Sequence, residues 1–367
     1  MYDFIISTGV IGIIGAVLAA ALEAAHRFIA NYGECEVDIN SQKRVFRIEG
    51  GGSLLSSLSS EKIFIPSACG GRGSCGLCKV KVEAGAGPVL PTETPHLSPD
   101  EIKSSVRLSC QVKIRNDIRI HIPDELFYIK EFTGTVESIR DLTYDIKELR
   151  IRLVEPGTIE FKSGQYMQLT VPEYGDMDEP VYRAYSMSNP ESDQNHVEFI
   201  IRYVPEGFCT TWVHKMLKEG DEVTLNGPHG DFYIRDNDRP VIMIAGGSGM
   251  APMKGMLLNM AEKGSERPTV FFFGAHNAKD VYHMDLMRDI ESRMKSFTFV
   301  PAVSKVLEDE AWDGERGRIT DVIDTLAENA AESEAYLCGS PGMIKACVGV
   351  LTKKGLPEER IYYDKFA

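Results

Sequence analysis

The chain has 367 residues, with 40 Lys and Arg against 54 Asp and Glu, and so a formal net charge of −14. That length divides into two or three domains, each able to bury its own core, and the acidic excess excludes nucleic-acid binding through the net field, because phosphates would be repelled. Eight cysteines are too sparse for a disulfide-stapled secreted scaffold, so a local cluster of them reads as ligand chemistry.

The first element is apolar. From Phe4 to Leu22 the sequence FIISTGVIGIIGAVLAAAL carries no charge, and as a helix rising about 1.5 Å per residue it reaches across a hydrocarbon core of roughly 30 Å. Residues 1–28 are therefore predicted to be a transmembrane anchor. A cleaved signal peptide is the competing reading, with small residues at Ala19–Ala25, but its n-region would hold Asp3 and no Lys or Arg. Arg27, Lys43, Arg44 and Arg47 all follow the apolar stretch and none precedes it, which predicts a single pass through the inner (cytoplasmic) membrane with the C-terminal domains in the cytoplasm.

Next, CEVDIN and RVFRI alternate like two strands, and GGSLLSSLSS reads as a turn and a short helix. They lead into CGGRGSCGLC, where Cys69, Cys75 and Cys78 form C-x5-C-x2-C, with Cys110 following remotely. Four thiolates are a full ligand set for a [2Fe-2S] cluster, three on one loop and one distant, although the first gap is one residue longer than the plant-type C-x4-C. Glycines 70, 71, 73 and 76 suit a loop that must bring backbone N–H groups to sulfur. A four-cysteine zinc site uses the same thiols. Structural zinc sites usually present two short Cys pairs, and Cys110 stands alone, so the spacing favours iron–sulfur. Cys35, Cys209 and Cys347 lack partner spacing and read as packed thiols.

After Phe132 come short alternating strands (GTVESIR, IKELRIRL, QYMQLTV) separated by Pro-Gly and Ser-Gly turns, the pattern of a small antiparallel barrel over residues 130–236. Within it, Arg183 of RAYSMSN is placed to hold a pyrophosphate, Tyr185 to stack on a planar ring, with Ser186 beside it. Gly207 through Thr211 opens a helix whose free N–H groups suit phosphate. Arg and Tyr on a strand are equally common as a plain surface pair. From residue 239 to 367, PVIMIAGGSGMAPM, PTVFFFGA, FTFVPAVS and AYLCGSPGMIKACVGVL repeat strand then helix, which predicts a doubly wound parallel sheet. Gly246, Gly247 and Gly249 leave room for a pyrophosphate at a helix start, without matching G-x-G-x-x-G. A second turn begins at Cys338–Gly339.

Taken in order, the four cysteines, Arg183-Ala-Tyr185-Ser186, Gly227-Pro-x-Gly230, Gly246-Gly-x-Gly249-Met-Ala-Pro252 and Cys338-Gly-x-Pro341 resemble the F subunit of the sodium-translocating NADH:quinone oxidoreductase. The resemblance covers essentially the whole chain, and its last two domains are similar to the ferredoxin-NADP reductase superfamily. It implies a transmembrane helix (1–28), an α+β ferredoxin-like (β-grasp) [2Fe-2S] domain (34–126), a FAD-binding β-barrel (130–236) and an α/β NAD-binding domain (239–367). By matching position, Arg183, Tyr185 and Ser186 contact FAD, with Gly207, Thr210 and Thr211 by its pyrophosphate. Gly246, Gly247, Gly249, Cys338 and Gly339 border the nicotinamide nucleotide. The terminal Phe366 is implied to stack on the flavin. One departure is the short PEYGDMDEPVY between two barrel strands, where the F subunit typically carries a long insertion.

The implied activity is that of an NADH:acceptor oxidoreductase: hydride from NADH to FAD, then single electrons to the [2Fe-2S] cluster and a membrane acceptor. Ser186 and Cys338 lie closest to that chemistry, as positioning groups; a reactive thiol at Cys338 lacks a basic sequence neighbour. NADH is preferred to NADPH because Lys279, after FFFGA, is offset by Asp280, although Lys305 remains available to a 2′-phosphate. The implied partners are NADH, membrane proteins of an electron-transfer complex and, indirectly, quinone; nucleic acid is not among them. The alternatives are a tethered electron-transfer module and an oxygenase-type reductase component with another acceptor.

Overall fold

The computed structural model describes residues 12–18, 32–175, 180–306 and 312–365. Most of the expected anchor, and Phe366, lie outside the described residues. Residues 12–18 are helical, with Ile13, Ile14, Val17 and Leu18 exposed. No helix among the described residues is long and apolar enough to cross a membrane. The chain forms two compact units, ending and beginning at Tyr128 and Ile129.

In the first unit a five-stranded sheet runs β2-β1-β5-β3-β4, with β1 at Glu34–Ile39, β2 at Arg44–Glu49, β3 at Lys79–Ala84, β4 at Val106–Leu108 and β5 at Ile118–His121. β1 and β2 form a hairpin, whereas β1 and β5 pair in parallel. Alternation decides the faces: Val37 and Ile39 point into the core and join Leu54, Leu55 and Leu58 of the helix Leu54–Ser60. That helix is capped by Ser53, whose hydroxyl accepts from the Ser56 N–H at 3.1 Å. The cysteine loop occupies the stretch between this helix and β3, so the first three thiols belong to a connection and the fourth follows β4.

The second unit holds two sheets. The first is antiparallel, ordered β10-β7-β6-β11-β8-β9, with β6 at Lys130–Asp141, β7 at Ile146–Glu155, β8 at Tyr166–Val171, β9 at Val181–Ser186, β10 at His196–Arg202 and β11 at Glu222–His229. A bridge between Met187 and Phe199 links the end of β9 to β10 and closes the barrel. The second sheet is parallel throughout, ordered β15-β14-β13-β12-β16-β17. Its strands are β12 (Val241–Gly246), β13 (Thr269–Ala275), β14 (Phe297–Val303), β15 (Glu315–Arg316), β16 (Glu334–Gly339) and β17 (Ile361–Lys365). Strands buried on both faces need continuous apolar runs, and VIMIA of β12 is fully buried. The chain winds outward from β12 through β13 to β14, then crosses back to β16. The order therefore reverses between β12 and β16, where open α/β sheets place their ligands. Ile146, Ile200 and Phe232 of the barrel region share a core with Met250, Met253 and Met256 of the helix Met250–Glu262, so barrel and sheet are packed on one another.

Candidate active site and cysteine loop

The cysteine loop winds through left-handed backbone at Gly70, Gly71, Gly73 and Gly76, with φ of 63°, 86°, 76° and 69°. At Gly76 space is also closed, since a Cβ would stand 2.9 Å from His96. All four thiols are free; the turns leave Cys69 hydrogen-bonded to Cys75 and Cys78 hydrogen-bonded to Cys110. Among the described residues no three Cys, His, Asp or Glu side chains converge as they would around one metal ion. Four free thiols, three on the glycine loop and one just after β4, supply the four-thiolate donor set that a [2Fe-2S] centre needs. The residues present thus fit a [2Fe-2S] cluster. Cys69 is held below the ordinary thiol range first by the Cys75 thiol, then by the backbone N–H groups of Ser74 and Cys75. Cys110 is held down by the Cys78 thiol and by the Gln111 amide, which lies 3.6 Å from its sulfur. Donors aimed at sulfur favour thiolate, the form that binds iron.

Three residues before Cys110, β4 carries one member of a buried ion pair that the spacing of cysteines does not announce. Glu93 is fully buried, and Arg107 of β4 grips it through Nε at 2.9 Å and Nη2 at 2.6 Å. The Glu93 carboxylate also accepts the N–H groups of Leu90 and Leu108, and Arg107 donates to the Gly87 carbonyl. Segment 87–93 is thereby fastened to β4, three residues before Cys110.

In the second unit Arg183, Tyr185 and Ser186 lie on β9. Residues 181–185 are all half-buried instead of alternating, as expected of a strand with space on both faces. Arg183 donates to the Tyr182 carbonyl at 2.8 Å, and the Tyr185 ring sits 6.1 Å from that of Phe199. Gly207 opens the helix Phe208–Lys215, which packs on β9. Thr211 N–H closes onto the Gly207 carbonyl, and the Thr210 hydroxyl is taken up by the backbones of Val204 and Gly207. Thr210 therefore shapes the turn.

The glycine turns after β12 and β16 meet at the reversal point. A Cβ on Gly249 would stand 2.3 Å from the Cys338 carbonyl oxygen, and one on Gly246 2.9 Å from Met343 Sδ. Only glycine lets the two backbones approach this closely. The Gly247 carbonyl accepts from the Tyr282 hydroxyl at 2.8 Å. Arg202, at the end of β10, brings a cation to the same turn: Nη1 lies 3.5 Å from where a Gly247 Cβ would be, and Nε is held by Asp145 at 2.7 Å.

Ser186 reaches this junction through Asp364 of β17, donating to Oδ2 at 3.4 Å. Asp364 stands opposite Cys338 in the pairing of β16 with β17. Burial pushes the Asp364 carboxyl up to about 6, with Ser186 opposing and the charge of Asp231 adding to the rise. The Cys338 thiol is pushed well above its ordinary range by burial and then by Asp364, which leaves it unreactive as a nucleophile and consistent with a positioning role. The structure thus joins the barrel motif to both glycine turns through Asp364, a residue sequence reasoning passed over. Its only signal was a lone acid within the aromatic YYDKF. Arg202 and the Glu93–Arg107 pair carried no sequence signal.

Comparison with known proteins follows the same division. The model of the 2Fe-2S iron-sulfur cluster binding domain matches residues 37–115, that of the oxidoreductase FAD-binding domain 133–234 and that of the oxidoreductase NAD-binding domain 243–349. The chain is 32% identical to the F subunit of a Na(+)-translocating NADH-quinone reductase of Neisseria meningitidis over 394 aligned residues, covering 96% of this chain and 97% of the relative. The corresponding F subunit of Mannheimia succiniciproducens is 32% identical with 99% of each chain covered. Among solved structures, the cytochrome P450 reductase GcoB of Amycolatopsis is similar with a TM-score of 0.72 and 27% identity, over 90% of this chain and 98% of that one. A ferredoxin reductase in carbazole 1,9a-dioxygenase follows at 0.69 and 28%, over 91% and 99%.

Proposed function

The chain belongs to the F-subunit family of the Na(+)-translocating NADH-quinone reductase, and on that premise we propose that it is the NADH-oxidising, electron-transferring component of such a complex. The observation that carries the reading is the junction in the second unit, where Ser186 of the barrel motif meets, through Asp364, the strand pair bearing Cys338 and the glycine turn Gly246–Gly249. A donor bound at the turns and an acceptor bound along β9 would meet there.

FAD supplies acceptance of a hydride and its release as single electrons, which a [2Fe-2S] centre takes one at a time. The chain contributes binding and orientation. Arg183 would pair with the flavin pyrophosphate, Tyr185 would stack on the ring, and the helix start at Gly207, Thr210 and Thr211 would face phosphate, with the Thr210 hydroxyl and Thr211 N–H shaping the turn. Gly246, Gly247, Gly249 and Gly339 leave room for the nicotinamide nucleotide, with Arg202 offering charge to its phosphates. Asp364 would orient Ser186 through their hydrogen bond, Cys338 would present a neutral thiol, and Phe366 would stack on the flavin ring. Cys69, Cys75, Cys78 and Cys110 ligate the cluster. In this reading the domains run 34–126, 130–236 and 239–367. Residues 1–28 anchor the chain by a single pass in the inner membrane with the other domains in the cytoplasm, neighbouring proteins of the complex are its partners, and quinone is reached through them.

Anaerobic addition of NADH to the purified protein, followed by low-temperature electron paramagnetic resonance, tests the reading. A rhombic signal of reduced [2Fe-2S] is expected. A signal with dithionite but none with NADH would remove the donor assignment, and a paired measurement of kcat/KM with NADPH decides the nucleotide. A second reading, electron supply to an oxygenase, is favoured by the likeness to the P450 and dioxygenase reductases over 90% and 91% of the chain and by the short PEYGDMDEPVY segment. Reduction of a quinone analogue by reconstituted membranes separates the two.

A further inference from the structure

Lys254 lies in the buried first turns of the helix Met250–Glu262, its side chain only 8% exposed. Its ammonium donates to Glu148 of β7 at 2.8 Å and to Glu198 of β10. A helix of the nucleotide sheet is thus tied to two strands of the barrel. Glu148 is also bonded by Arg140 and lies 3.2 Å from His283 Nε2; Glu198 accepts the Ser188 hydroxyl at 2.8 Å, with Arg150 at 3.7 Å. Burial works against the Glu148 carboxylate, yet His283 and Lys254 hold it down to about 2. The next residue, Gly255, touches the same segment: a Cβ there would stand 3.0 Å from the Asn189 carbonyl oxygen and 3.3 Å from that of Met187.

The sequence positions give these contacts their meaning. Met187, Ser188 and Asn189 directly follow Arg183–Ser186, and the helix carrying Lys254 directly follows Gly246–Gly249. Both halves of the proposed redox junction are therefore pinned to each other one helical turn away from it. A buried ion pair is weak evidence for stability, because hydrophobic replacements often do as well, and its best-attested use is to select one register. A lysine shared by two carboxylates is satisfied in one register only.

We propose that Lys254 is a positioning residue which, with Gly255, sets the register between the flavin-binding strand and the nicotinamide glycine turn, and so the approach of donor to acceptor. The inference rests on the donor reading given above. It places the effect on the hydride step and away from nucleotide affinity.

Wild-type holoprotein, Lys254→Met, Lys254→Arg and Gly255→Ala are compared by anaerobic stopped-flow reduction of the flavin with NADH and with NADH deuterated at the transferred position. A misplacement near 1 Å costs about a hundredfold, so Lys254→Met is expected to lower the limiting rate by roughly ten- to a hundredfold, with the NADH Kd within about threefold and a larger isotope effect. Lys254→Arg, which keeps a charged donor to both carboxylates but adds bulk in a buried site, is expected to fall between wild type and Lys254→Met. In the FAD-free proteins, hydrogen exchange over 187–199 and 250–257 is expected to rise in Lys254→Met. A Lys254→Met flavin reduced at the wild-type limiting rate, or a loss confined to Kd, overturns the inference. If Lys254→Met yields no holoprotein, Gly255→Ala decides: a slowed limiting rate at unchanged Kd supports the pin, and a wild-type rate overturns it. A wild-type flavin that dithionite reduces and NADH does not overturns the donor reading and the inference together, whereas NADH-reduced wild type beside an equally fast Lys254→Met overturns the inference alone.

Discussion

Asp364 is the residue on which the second unit spends stability for position. Its carboxyl ordinarily titrates at 3.8 and is raised to about 6, burial being the main cause. Between those values the folded protein holds a proton that the unfolded chain has lost, so the contribution is complete below the lower value and disappears as pH rises through the upper one. At neutral pH the ionised, partly buried group costs at most about 3 kcal/mol. Asp364→Asn is therefore expected to raise the urea midpoint at about pH 7.5 and to have little effect near pH 4. Equal shifts at both pH values would show that burial of charge is not the cause. The Ser186 hydroxyl loses its charged acceptor in the same variant, so gained stability should come with slower flavin reduction.

Among elements, β4 and the 87–93 segment show how a distant ligand is brought to a loop. Cys110 is separated from Cys78 by 31 intervening residues, on the far side of β3 and β4, and chain entropy would scatter it without a fixed approach. The Glu93–Arg107 pair provides that approach, with both side chains at least 95% buried. Removing one member of such a pair leaves the other charge unpaired in the interior, which costs about 3–5 kcal/mol. Glu93→Gln is expected to lower the temperature at which the cluster's visible absorbance bleaches, while the flavin's release temperature stays unchanged. A variant bleaching at the wild-type temperature would show that Cys110 is held by the β-sheet alone. The cysteine motif was legible because three ligands fall within ten residues. The ion pair was not, because Glu93 and Arg107 read as two ordinary charged residues until the sheet places them side by side.

At the scale of the whole molecule, the N-terminal segment is the part expected to tie the chain to a membrane. The apolar stretch from Phe4 to Leu22 and the basic residues after it argue for an anchor. Intact protein is expected to pellet with membranes, and deletion of residues 1–28 to release it with NADH-dependent flavin reduction preserved, since the second unit has its own cores. Recovery of the intact chain in the soluble fraction would count against the anchor and favour the oxygenase-reductase reading. The domain succession was legible for a physical reason: period-two alternation, a cysteine-and-glycine loop and buried parallel strands impose local composition. Their sequence order alone suffices to read the succession of folds.

What the sequence by itself determined is thus whatever chemistry demands of near neighbours: Cys69, Cys75 and Cys78 on one loop, glycines where backbone must turn left-handed, and Gly246–Gly249 where β12 meets its helix. Only the tertiary structure decided which polar and charged groups face one another. Asp364 finds Ser186 across 178 residues, and Lys254 finds Glu148 across 106. A buried charge is tolerated only beside a partner in good geometry, and that partner is chosen by sheet order and packing, which no spacing along the chain encodes.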